Sequence, residues 1–125
     1  MVIVTLDPTV GHEQQGTRRG LIVSREAFHR SGLAQICPIT AARDDVRYPS
    51  EVAIPRGQAG QTKNGVILCH QVRTVSLERI NPFLVGTTVE YVTDPEIRRQ
   101  VREALQHQLG LDLPLSVDAA PARGL

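Results

Sequence analysis

Residues 21–40 read Leu21-Ile22-Val23-Ser24-Arg25-Glu26-Ala27-Phe28-His29-Arg30-Ser31-Gly32-Leu33-Ala34-Gln35-Ile36-Cys37-Pro38-Ile39-Thr40. Two apolar runs flank a polar stretch too short for a full helix, so Leu21 to Ser24 and Leu33 to Thr40 are predicted strands and Arg25 to Gly32 a turn or one helical turn. The same grammar extends both ways. Val2 to Leu6 is a β-branched run closed by Asp7-Pro8, and a long polar, glycine-bearing loop follows from Thr9 to Arg19. Downstream, Ala41 to Tyr48 is a polar loop carrying Asp44-Asp45, Val52 to Pro55 a strand, and Arg56 to Asn64 a Gly- and Gln-rich turn region. Val66 to Cys69 and Val72 to Val75 form one strand bent near His70 and Gln71, and Phe83 to Thr87 completes the set. Short strands joined by turn-rich loops predict a barrel or sandwich.

The one clear helix comes last. Thr93-Asp94-Pro95-Glu96 has the form of a capping box, with Thr93 accepting from a first-turn N–H and Glu96 reaching back. Proline is tolerated there because first-turn N–H groups lack intrahelical partners. Ile97, Val101, Ala104, Leu105 and Leu109 make an apolar stripe, and Gly110 is a natural stop. The fold class is mainly β with α, as one domain over residues 1–110; residues 111–125, rich in Ala and Pro, are expected to be a disordered tail.

A chain of 125 residues has room for one core. No run approaches the roughly 18 to 20 consecutive apolar residues of a membrane span, and no basic segment precedes the first strand, so a cytoplasmic protein without membrane association is expected. The 14 Lys and Arg barely exceed the 13 Asp and Glu, which excludes nucleic-acid binding through bulk charge and leaves a local basic site. Lys63 is the single lysine. The arginine bias suits phosphate recognition through planar donor forks and equally suits a GC-rich genome. Cys37 and Cys69 each sit in an apolar run without a CxxC partner, so buried, reduced thiols are expected rather than a disulfide or metal pair.

Leu6 to Gly20, Leu-Asp-Pro-Thr-Val-Gly-His-Glu-Gln-Gln-Gly-Thr-Arg-Arg-Gly, packs an imidazole, two carboxylates, two amides and two guanidinium groups into one inter-strand loop. That density makes it the candidate site. This block, with 21–32 after it, resembles the MazF/PemK (Kid) family of toxin endoribonucleases. Three later blocks agree in order and spacing: Cys37 to Thr40, Tyr48 to Val52, and Gly65 to Thr74. The resemblance covers residues 2–109.

It implies an SH3-like β-barrel with a C-terminal helix, a homodimer, single-stranded RNA as substrate and an acidic antitoxin of the MazE/PemI type. The implied reaction is attack of a ribose 2′-OH on the adjacent phosphate, leaving a 2′,3′-cyclic phosphate and a 5′-OH, with no cofactor and no metal. The histidines at 12, 29, 70 and 107 are scattered singly and offer no ligand spacing. Arg18 matches the family's catalytic arginine, and Thr40 a threonine whose hydroxyl can hold a phosphate oxygen or the nucleophile. Their plainer readings are a solvated loop arginine and a strand-end hydroxyl satisfying nearby backbone. His12 matches a Kid-branch active-site histidine and works as acid or base, or simply contacts a nucleotide. His70 stands where that branch has a catalytic aspartate. The implied RNA contacts are Glu13, Gln14, Thr17, Arg43, Gln71 and Arg73.

Departures also count. Leu68 replaces a branch arginine, so that role does not carry over. Arg18-Arg19 replaces Arg-Pro, which is expected to loosen the backbone and add charge. The Arg-Gly-Asp-like opening before the first strand is absent, so either the first strand is short or the true start lies further upstream. Tyr48 is a candidate base-stacking ring or a packing residue. Gyrase-poisoning toxins share the architecture, and a catalytically degenerate toxin kept for antitoxin binding is a third reading. The pairing of Arg18 with Thr40 favours the ribonuclease.

Overall fold

The computed structural model describes residues 2–5, 17–80, 91–111 and 113, with side chains from residue 19 onward in those ranges. Six strands form one antiparallel sheet: β1 (Val2–Thr5), β2 (Thr17–Ile22), β3 (Leu33–Thr40), β4 (Glu51–Ile54), β5 (Gly65–Leu68) and β6 (Arg73–Ser76). Helix α1 (Pro95–Gln108) follows them. The strand order is β1-β2-β3-β5-β4, with β6 also paired to β3. The predicted class, mainly β with one C-terminal helix, is what the chain adopts. The expected strand at Phe83 to Thr87 and nearly all of the expected tail lie outside the described residues.

β3 organises the sheet. One edge pairs with β2, from Arg19↔Ile39 to Ile22↔Ile36. The other is shared: residues 33–36 pair with β6, and Ile39 and Thr40 with β5. Proline in a central strand would normally cost a ladder hydrogen bond. The Gln35 carbonyl accepts from Val23 N–H on the β2 side, so alternation turns the Pro38 nitrogen to the opposite edge. That is where β3 passes from β6 to β5, and no ladder donor is needed there.

Both faces of β3 are buried. Cys37 and Ile39 join Val52, Ile54, Ile67 and Cys69 beneath Ile97, Val101 and Ala104 of α1. Ala34 and Ile36 enter a second cluster with Val75 and Ile80. Each fully buried aliphatic side chain contributes about 1.5–3 kcal/mol, which explains why this short sheet is apolar on both sides along its axis.

Three expectations change. β2 begins at Thr17, not Leu21: the polar Thr17 to Gly20 stretch is held as strand by pairing with Val2 to Thr5 on one side and with β3 on the other. The bent strand at 66–75 is two strands separated by a 3₁₀ turn, Cys69–Gln71, because β5 pairs with β3 and β4 while β6 returns to the far end of β3. Finally, Asp94 caps α1 rather than Thr93, accepting from Glu96 N–H at 2.8 Å. Thr93 instead donates its N–H and its hydroxyl to Gln58 Oε1, and Glu96 pairs with Arg99. The predicted helical turn is present at Glu26–Ser31, and Gly110 takes the positive φ expected of a helix stop.

Candidate active site

Thr40 ends β3 and is nearly buried, at 8% exposure. Its Oγ1 accepts the Ala42 N–H at 3.2 Å, which starts the 41–50 loop and leaves the hydroxyl proton available for donation. Both readings of this residue are therefore compatible in one geometry. The backbone of Arg18 lies in β2 opposite Val4. The register Arg19↔Ile39, carried one residue further, sets Arg18 beside Thr40 on the neighbouring strand. Behind Thr40, Gly65 is needed for close approach: a Cβ there would lie 2.5 Å from the Thr40 carbonyl oxygen. Thr17 is in β2, while His12, Glu13 and Gln14 lie outside the described residues.

A second group gathers where the 41–50 loop meets β4. The Glu51 side chain is fully buried. It is held by Arg43, through Nη1 to Oε1 at 3.0 Å and Nη2 to Oε2 at 2.5 Å, and by Arg47 N–H to Oε1 at 2.9 Å. Burial alone would push this carboxyl up. The Arg43 guanidinium, the Arg47 N–H and the nearby charges outweigh it and hold Glu51 below the ordinary carboxylate range. Arg43 also donates to the Asp45 carbonyl, so its fork faces inward and pins the loop. His70, in the turn after β5, brings Nδ1 to 3.9 Å from Glu51 Oε2, and its Nε2 lies 3.5 Å from Gln71 Nε2. The Tyr48 ring, 59% exposed, meets His70 edge-on at 6.2 Å.

The strands relate the two groups. Thr40 pairs with Val66, and Val66 with Ala53, so the three form a row across the sheet. Glu51 lies two residues along β4 from Ala53 and therefore on the same face, away from α1. Leu68 is on this face too and is buried at 2%, so the position carries no charge. Arg73 opens β6 opposite Ile36.

Two residues of this neighbourhood were not among the site candidates read from sequence. Glu51 is one lone acid at a strand start; its alternation with the core residues Val52 and Ile54 was a signal for its face, but nothing local foretold its burial. Arg19 is the other. It is built into the sheet between Ile3 and Ile39, and its Nη1 donates at 3.2 Å to both the Gly60 carbonyl and Gln61 Oε1. The expected loosening at Arg18-Arg19 is thus replaced by a tether. The cysteines are free and buried. Among the described residues no cluster of three or more potential metal ligands occurs.

The chain matches the family of PemK-like, MazF-like toxins of type II toxin–antitoxin systems over residues 1–109. The protein belongs to this toxin family. It is 40% identical over 77 residues to Endoribonuclease PemK of Escherichia coli, covering 61% of this chain but 57% of PemK. With Endoribonuclease EndoA of Bacillus subtilis it shares 33% identity over 107 residues, 85% of this chain and 87% of EndoA. The crystal structure of MazF from Deinococcus radiodurans superposes with a TM-score of 0.67 at 29% identity, covering 87% of this chain and 91% of that one. These likenesses make the sheet and helix described above the toxin fold of the family. Among the described residues no helix is long and apolar enough to cross a membrane.

Proposed function

We propose that this toxin is a sequence-specific, metal-independent endoribonuclease that cuts single-stranded RNA in the cytoplasm. The reading is supported by the β2–β3 register, whose last pair, Arg19↔Ile39, lies one residue short of Arg18 and Thr40, in a chain whose relatives PemK and EndoA are named endoribonucleases. The 2′-oxygen attacks phosphorus, its proton passes to a base, the P–O5′ bond breaks, and an acid protonates the departing 5′ oxygen. Arg18 supplies a permanent cation for the phosphorane, and the Thr40 hydroxyl donates to a phosphate oxygen. His70 and His12 are the residues able to exchange protons near neutrality. The products are a 2′,3′-cyclic phosphate and a 5′-OH. The working unit in this proposal is a homodimer, restrained by an acidic antitoxin of the MazE/PemI type.

The test is cleavage of a long single-stranded RNA in EDTA, wild type against Arg18→Ala, with cut sites mapped by primer extension. Cuts at one short motif, lost in the variant, are expected. A well-folded wild type that binds antitoxin but leaves RNA intact sinks the enzyme reading in favour of a non-cleaving toxin or a gyrase binder.

A further inference from the structure

We propose that Glu51 and Gln71 are positioning residues that hold His70 as the Nδ1–H tautomer, so that Nε2 carries the lone pair that takes the 2′-OH proton. The inference rests on the ribonuclease reading and adds to it a buried carboxylate–imidazole pair.

The argument begins with the acceptor capacity of Glu51. A carboxylate offers about four acceptor positions. Arg43 Nη1 and Arg47 N–H occupy Oε1, and Arg43 Nη2 takes one position on Oε2. The remaining position is on Oε2, the oxygen nearest His70 Nδ1. Nδ1 itself is buried and has no hydrogen-bond partner. The ring is nonetheless 32% exposed, so its accessible part lies away from Nδ1.

The other ring nitrogen points the same way. Gln71 Nε2 is an amide nitrogen and can only donate, so at 3.5 Å, the outer limit of a hydrogen bond, it favours His70 Nε2 as the acceptor and leaves Glu51 as the stronger determinant. In a neutral imidazole the proton then sits on Nδ1, facing Glu51. At 3.9 Å that contact is longer than a hydrogen bond. A ring movement of about 1 Å closes it, and such tightening on substrate binding is common for catalytic pairs. When Nε2 takes the 2′-OH proton, the imidazolium that forms is stabilised by the Glu51 charge, the logic by which a buried acid serves a catalytic histidine in hydrolases. The incoming 2′-OH replaces the Gln71 amide at Nε2.

Among the described residues named around the ring, Glu51 is the anion. From the 41–50 loop come the Arg43 cation, already engaged by Glu51, and the Tyr48 ring edge. Arg73 lies beyond the turn, in β6. Helix α1 packs on the same turn with the apolar side chains of Ile97, Val101 and Ala104, which cluster with Cys69. Glu51 therefore favours the imidazolium and Arg43 opposes it.

The experiment is long-range 1H–15N correlation of the histidine rings in the full-length protein near neutral pH, with His70 assigned from its loss in His70→Ala. The expected result is a protonated Nδ1 and an unprotonated Nε2, changing to mixed tautomers in Glu51→Gln. In cleavage assays Glu51→Gln should lose at least about tenfold in kcat with KM little changed, within the range general acid–base groups supply. Glu51→Asp should recover part of kcat. A proton on Nε2 in the wild type overturns the proposal, and that measurement stands even if Glu51→Gln fails to fold. The tautomer as stated, but full cleavage by His70→Ala, removes the proton-transfer role. A wild type with the stated tautomer and no cleavage under any condition instead defeats the ribonuclease reading and leaves the Glu51–His70 contact intact.

Discussion

Arg43→Ala would strand a fully buried carboxylate. In the native protein Arg43 gives Glu51 two charge-assisted hydrogen bonds and Arg47 N–H gives a third. Removing one partner of a buried pair costs about 3–5 kcal/mol. Arg43 is 19% exposed, so water can replace part of what it supplies, and with the Arg47 N–H retained the expected loss is about 2–3 kcal/mol at pH 7. With a urea dependence of about 1–3 kcal/mol per molar, the unfolding midpoint should fall by about 0.7–3 M. The pH dependence separates charge from lost packing. In the wild type the Glu51 carboxyl is held below its ordinary value; it stabilises the fold above the unfolded pKa, and that stability is lost as pH falls through the folded pKa. In the variant burial, the largest influence, is opposed only by the Arg47 N–H and the His70 charge, so the folded pKa rises and the penalty present at neutral pH is relieved as Glu51 protonates. The gap between the two proteins should be widest near pH 7 and shrink toward about pH 4, near the ordinary Glu pKa. Urea titrations across that range read it directly. A gap that stays constant with pH, or stays below about 0.5 kcal/mol as for an ordinary surface change, refutes the reasoning.

Gly65→Ala places a Cβ 2.5 Å from the Thr40 carbonyl oxygen; thermal or urea unfolding should show a loss of about 1–3 kcal/mol, and RNA cleavage should fall because Thr40 must shift. Tyr48→Ala should leave stability within about 0.5 kcal/mol while weakening a 2′-deoxy oligonucleotide by about 1–3 kcal/mol for the one stacked base, read by fluorescence anisotropy; unchanged binding would make the exposed ring a bystander. Cys37 and Cys69 are both fully buried, and hydrogen bonding to Cys69, then burial, pushes the Cys37 thiol up. Neither should react with iodoacetamide in the native protein and both should in urea, and rapid native labelling would contradict the packing.

The strands that could be read from sequence were those whose apolar runs need no distant partner to declare themselves. Leu33 to Thr40 was found with its boundaries intact because it is apolar on both faces, and the helix because its stripe repeats at helical spacing. Thr17 to Gly20 was not, since a polar run becomes strand only through two flanking partners 15 or so residues away in sequence. The cap moved from Thr93 to Asp94 because Gln58, 35 residues earlier, takes the Thr93 N–H. At the site, Thr40 and His70 were visible through the family resemblance. Glu51 was not, because its burial depends on a guanidinium eight residues before it and an imidazole nineteen after it, and no short motif encodes that meeting.

One strand joins both cores, and this bears on how the molecule opens. Cys37 and Ile39 anchor the half beneath the helix, Ala34 and Ile36 the other half. Neither half can come apart while β3 stays in place, and β3 cannot leave without releasing both. Local fraying should therefore begin at the terminal members of the sheet, such as β1, which among the described residues pairs with β2 alone. The amides of β3 should exchange with solvent only when the whole domain unfolds. Thr40 sits at the end of that slowest-exchanging strand, so the hydroxyl proposed for the chemistry is carried by the part of the chain least free to wander.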